Sequence, residues 1–173
     1  LVSSRGLGDV YKRQTFSGPV RSRAGFFSAG SDSVVSLTAD TTLTVDAHAG
    51  KILLFNDADG KFTLPTIIAS SLRVELNNLG ASYTFVIETA ATDLDILTDG
   101  TDKFVGGIYT GVNNATGKTF ISGATNDVIT LNGSTQGGLE GSIIVVTAIA
   151  DNKYAVEGIT LGSGTLVTPF ADA

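Results

Sequence analysis

The chain predicts an all-β fold, an antiparallel β-sandwich or β-barrel-like domain preceded by an extended N-terminal arm. Three observations carry that expectation. Short apolar segments are separated by Gly, Asn and Asp clusters every 8 to 12 residues or so, the spacing of an all-β domain. The apolar segments are rich in Val, Ile, Thr, Phe and Tyr, which suit a pleated surface. No stretch carries a sustained 3.6-residue apolar period with caps, as a parallel α/β fold would require.

The densest stretch is Lys51 to Pro65, KILLFNDADGKFTLP. Ile52 to Phe55 reads as a strand buried on both faces, and Asn56 to Gly60 as a turn built on Asx side chains and a conformationally free Gly. Phe62 and Leu64 alternate with Lys61 and Thr63 as a return strand that Pro65 stops. The local reading is a β-hairpin. Before it, Leu37, Leu43 and Val45 lie among threonines, and Asp46 to Gly50 reads as a turn. After it, Thr66 to Ser71 reads as a loop or one helical turn, Leu72 to Leu76 as a one-face strand, and Tyr83 to Glu88 as a strong strand. Leu94 to Leu97 is a short strand among aspartates, and Phe104 to Tyr109 is a looser one around Gly106 and Gly107. Asp127 to Leu131 and Ser142 to Ile149 are strands flanking the glycine-rich turn Asn132 to Gly141. Asp151 and Asn152 reverse the chain into Lys153 to Thr160. No repeat period is fixed by these segments.

Residues 1 to 14 stand apart. Ser4 to Gln14, SRGLGDVYKRQ, resembles the translated tail of a transposase-type sequencing adapter, and the chain contains no Met. The expected organisation is therefore a non-native tail at 1–14, an extended arm at 15–36 and a β-rich domain at 37–173. Without Arg5, Asp9, Lys12 and Arg13 the formal charge moves from −6 to −8. An acidic chain with scattered cations predicts no nucleic-acid partner and no affinity for anionic membrane. No apolar run approaches the roughly 20 residues of a bilayer span.

Candidate chemistry is sparse. There is no Cys, hence no disulfide, thiolate metal site or Cys nucleophile. His48 is the single histidine and sits outside any nucleophile-elbow pattern, so a solvated turn histidine is expected rather than a triad base. Asp57 and Asp59 before Gly60 suggest a calcium loop, but Phe55 and Thr66 occupy the first and twelfth EF-hand positions. Asp93, Asp95, Asp99 and Asp102 read as a solvated acidic face. Gly106–Gly107 and Gly137–Gly138 lack the Lys-Ser/Thr of a phosphate loop. Asn114 and Asn132 head glycosylation sequons that matter only in a eukaryotic secretory setting. We expect no catalytic residues, metal or cofactor.

Leu37 to Pro65, Asp127 to Gly141 and Gly158 to Phe170, with GPVRSRAGF at Gly18 to Phe26, resemble marine bacteriophage structural proteins of the capsid-associated, head-decoration type. The resemblance covers about half of the chain and is weakest over 66–126. It implies a virion surface protein, non-enzymatic, bound to the major capsid protein and to copies of itself, with a trimer favoured. Phe16, Val20, Phe26 and Phe27, apolar residues in a Gly/Ser segment, are the expected anchors to a neighbouring subunit or the shell. The alternatives are a fibre or spike domain that binds host glycans, for which Trp is absent, and a tail-tube component. A carboxylate-pair glycosidase ranks last, because the acids lie mostly in turns.

Overall fold

The computed structural model describes residues 33–69 and 77–173. Twelve strands and one helical turn build two sheets around a shared core. The strands are β1 (Val34–Leu37), β2 (Thr41–Thr42), β3 (Ile52–Phe55), β4 (Lys61–Thr63), β5 (Ser82–Ile87) and β6 (Leu94–Leu97). They continue with β7 (Lys103–Val112), β8 (Lys118–Ile121), β9 (Val128–Leu131), β10 (Ile143–Ala150), β11 (Lys153–Gly162) and β12 (Phe170–Ala171), while α1 is Val45–His48. The larger sheet has the order β1-β3-β5-β10-β11-β7-β8 and the smaller β12-β9-β6-β4-β2. The all-β sandwich-like class stands, but the sheets are mixed rather than purely antiparallel.

The parallel part comes from the first half of the chain. β1, β3 and β5 are parallel neighbours in the larger sheet, and β2, β4 and β6 are parallel neighbours in the smaller one. The chain therefore alternates between the sheets, changing sheet five times from β1 to β6, and each new strand stacks on the previous one of its own sheet. Lys51 to Pro65 is consequently an arch between sheets and not a hairpin. Phe55 points into the core from the larger sheet and Phe62 from the smaller, and their rings stack at 4.2 Å with an interplanar angle of 17°. Phe85 extends the stack at 4.9 Å from Phe55. The hydrogen bonds of β3 and β4 go to neighbouring arches instead of to each other. At Gly60 a Cβ would come within 2.6 Å of the Phe62 ring, so this crossing needs glycine.

The second half is conventional. β10 and β11 form the hairpin expected at Asp151–Asn152, with Asn152 at φ 58°, a region Asn tolerates. β7 runs straight through Gly106 and Gly107 and lies parallel to β11 over ten register pairs, Lys103↔Lys153 to Val112↔Gly162, so the stretch expected to be loose is one of the two longest strands. β11 likewise continues into the segment read as a tail, and β12 closes the smaller sheet against β9. Asp46 to Gly50, expected as a turn, begins within α1, whose N-cap Thr44 accepts from the Ala47 N–H. β1 starts at Val34, ahead of the expected domain boundary at Leu37. The proposed strand Leu72–Leu76, the end of the loop before it and the arm residues up to Asp32 lie outside the described residues.

Asn132 organises the glycine-rich turn. Its Oδ1 accepts from the Ser134 and Gln136 N–H groups, and its Nδ2 donates to Thr135 and Gln136 side chains. Gly133 within it has φ 65°, and a Cβ there would lie 2.2 Å from the Ala91 carbonyl oxygen.

Candidate functional site

The strand alternation that fills the core also determines what faces outward. In β10, Ile144, Val146 and Ala148 are buried while Ile143 and Val145 point away from the smaller sheet. In β11, Tyr154, Val156 and Thr160 are buried while Glu157, Ile159 and Leu161 point outward. The register aligns these outward residues across the sheet. One row runs Leu54, Val86, Ile143, Ile159, Tyr109, Thr119, and the next runs Ile52, Thr84, Val145, Glu157, Gly107, Ile121. Glu157 is the single charged side chain in these two rows.

Ile121 is 78% exposed and Ile159 62%, which is unusual for isoleucine on a monomer's surface. Beside them lies an open depression of about 510 Å³ lined by Tyr109, Thr119, Ile143, Val145, Glu157 and Ile159. Gly107, on the outward row, contributes backbone but no side chain to it. Gly107 is in register with Ile121 on the edge strand β8, so the depression adjoins the most exposed apolar side chain of the face. Contiguous apolar patches of more than a few hundred Å² mark surfaces that are covered in use. The sequence hides this face because a continuous apolar run such as Ile52–Phe55 reads as buried on both sides. Only the even-numbered side chains of Ile52 to Phe55 look outward, and their apolarity was the available signal.

The residues singled out from the sequence are dispersed. Phe16, Val20, Phe26 and Phe27 lie outside the described residues. His48, expected as a solvated turn histidine, is instead partly buried at the end of α1, where its Nδ1 accepts the Thr44 N–H at 2.9 Å and caps the helical turn. Asp57 makes only a long Asx contact, 3.5 Å from the Asp59 N–H. The four later aspartates do not form one face. Asp93 is exposed. Asp95 accepts from Thr130 and pairs loosely with Lys61 at 3.9 Å. Asp99 accepts from the Thr101 and Asp102 N–H groups. Burial pushes its carboxyl up, but those donors and Thr66 outweigh it and hold the group below the ordinary value. Asp102 is fully buried, accepting from the Ile67 N–H at 2.8 Å through one oxygen while the other has no partner. Burial raises its pKa, and the neighbouring Asp99 and Asp151 charges add to the rise against the opposing Ile67 bond.

Around Asp102 lies a small polar seam. Tyr154 donates its hydroxyl to the Pro65 carbonyl, and Tyr83 is buried with its hydroxyl unpartnered and its pKa pushed up to about 12 by burial. Asn78 accepts from the Ile68 N–H and donates to the Thr66 carbonyl. Tyr154, Asp102 and Asn78 together hold the backbone of the 65–68 segment by hydrogen bonds. Next to Asp102 along the chain, Lys103 bonds Asp127 at 2.6 Å, and Asp127 also accepts the Ala173 N–H. Burial opposes ionisation of Asp127, but the Lys103 ammonium and that N–H together hold its pKa below the usual value.

Among the described residues no group of three or more His, Cys, Asp or Glu side chains is placed to hold a metal ion. No helix there is long and apolar enough to cross a membrane. The fold and surface define the class as a two-sheet β-sandwich with one apolar outer face. In comparison with known proteins, no family model, no curated protein and no solved structure matches the chain.

Proposed function

We propose that the chain is a non-enzymatic virion structural protein that works by burying surface, binding the outside of a phage capsid as a decoration or cement protein. The observation that carries this reading is the apolar outer face of the larger sheet, with Ile121, Ile159, Ile143 and Tyr109 exposed around a single carboxylate. Such a face is costly to leave in water and gains free energy on docking in proportion to the apolar area removed. The resemblance of Leu37 to Pro65 and Asp127 to Gly141 to head-decoration proteins supports the same role.

The fibre or spike alternative requires exposed rings on which sugars can stack. Tyr83 and Tyr154 are buried, which leaves Tyr109, 45% exposed, as the one described tyrosine available. The test is co-sedimentation of the purified chain with heads assembled from the major capsid protein of the same phage, alongside a glycan array. Saturable head binding with no glycan signal supports the decoration reading. Glycan binding without head binding replaces it with the spike reading.

A further inference from the structure

We infer that the Asn132–Gly133 step is a deamidation site held closed by the native turn, so that its conversion follows opening of the turn and then keeps the turn from closing again. The inference stands apart from the capsid reading. The reaction needs only water. The Gly133 backbone nitrogen gives up its proton and bonds to Asn132 Cγ, the Cγ–Nδ2 bond breaks, and the amide nitrogen leaves as ammonia. Water then opens the resulting succinimide at one or the other carbonyl, giving Asp or isoaspartate. Asn132 is the one asparagine of the chain followed by Gly. Glycine puts no Cβ in the path of the attack and leaves the backbone free to turn into it, and asparagine is among the thermally labile residues.

The fold demands both members of the pair. Gly133 has a positive φ and its Cα lies against the Ala91 carbonyl, so no side chain fits. Asn132 supplies two acceptances and two donations to the turn. What closes the site is the nucleophile. The Gly133 N–H donates to the Gly137 carbonyl at 2.7 Å, and reaching Cγ means losing that bond. The electrophile, by contrast, is ready. Asn132 Oδ1 accepts from the Ser134 and Gln136 N–H groups at 3.0 and 2.9 Å, two donors that polarise the Cγ carbonyl as an oxyanion hole does. Opening also has a structural consequence, because this turn carries the segment between β11 and β12. The Ser134 and Thr135 carbonyls accept the Ser163 and Val167 N–H groups at 3.0 and 2.9 Å, and Gln136 Nε2 donates to the Thr168 carbonyl. Isoaspartate lengthens the backbone at the centre of this network. Asp keeps the acceptances, loses both Nδ2 donations and adds a charge to an acidic chain.

The experiment incubates the full chain at mildly alkaline pH, in buffer and in urea, and reads Asn126, Asn132 and Asn152 separately by peptide mass mapping. In urea Asn132 should convert ahead of the other two. In buffer it should convert at least roughly a hundredfold more slowly, because only the small open fraction reacts. Gln136→Ala removes one bond to Asn132 Nδ2 and one to Thr168. It should speed the native reaction roughly tenfold, the equivalent of the net hydrogen bonds removed, and leave the rate in urea unchanged. Asn132→Asp, the product made directly, should speed hydrogen exchange at the Ser163 and Val167 amides by a similar factor; circular dichroism will confirm that both variants fold. Native conversion as fast as in urea, or faster, overturns the inference, since the polarising donors then outweigh the tied nitrogen. So does a urea-unfolded chain that spares Asn132, a native rate indifferent to Gln136→Ala, or exchange unchanged in Asn132→Asp.

Discussion

Truncating Phe62 to Ala tests the arch directly. Phe62 is fully buried, and its ring stacks on Phe55 across the two sheets. A buried Phe→Ala change costs about 3–5 kcal/mol through lost transfer free energy and the cavity left behind. The stacked contact itself contributes about 0.5–1.5 kcal/mol beyond area burial. The loss for Phe62→Ala should therefore fall in the upper half of that range. A domain of this size has a stability of about 10 kcal/mol, so the variant should remain folded but lose a third to a half of it. Urea unfolding followed by fluorescence of Tyr or by circular dichroism gives the number, and the midpoint should fall by about 2 M. The milder pair Phe55→Leu and Phe62→Leu then closes a double-mutant cycle, whose coupling should equal the stacking contribution. A loss below about 1 kcal/mol, or a coupling indistinguishable from zero, would refute the inter-sheet stack and the arch with it.

Three further predictions concern stability. Asp102 has a folded pKa above its unfolded value, so the folded state binds more protons between the two and stability falls as pH rises through that interval. Asp102→Asn should remove this downward slope and leave the protein at least as stable at neutral pH, as measured by urea midpoints from pH 3 to 8; an unchanged slope would contradict the assignment. Asp127 is the opposite case, with a depressed folded pKa whose stabilisation is present above the unfolded value near 3.8 and lost as pH falls below it. Lys103→Ala should cost about 1–3 kcal/mol at neutral pH and flatten that acid limb, read in the same titration. Gly133→Ala should cost about 2–4 kcal/mol in thermal unfolding, because it combines a positive φ with a clash against the Ala91 carbonyl.

The strands were legible in the sequence because alternation is a local property. Tyr83 to Glu88, Leu94 to Leu97 and Asp127 to Leu131 all fall on observed strands. Partner choice was not legible, because Phe62 and Leu64 look inward equally well in a hairpin or an arch. The difference lies in which strand receives the Lys61–Thr63 hydrogen bonds, and those go to β2 and β6, far away in sequence. The arches escaped detection as repeats because Val34, Ile52 and Thr84 occupy one rung position at unequal sequence intervals. The candidate site was hidden for a related reason. Tyr109 and Ile121 come from β7 and β8, Ile143 and Ile159 from β10 and β11, and only the register brings the two pairs into one surface. The dispersal of the aspartates was only partly visible: the Asx role was readable at Asp57, whereas the turn-capping of Asp99 and the burial of Asp102 were not.

The outer face of the larger sheet, where Ile121 is 78% exposed, is the surface on which the decoration reading stands or falls. The most direct measurement is co-sedimentation of the full chain, wild type and Ile121→Asp, with heads assembled from the major capsid protein of the same phage. Saturable binding of the wild type that Ile121→Asp weakens at least roughly tenfold is the expected result, as for an apolar anchor replaced by a charge. A wild type that stays in the supernatant, or head binding indifferent to Ile121→Asp, would contradict it.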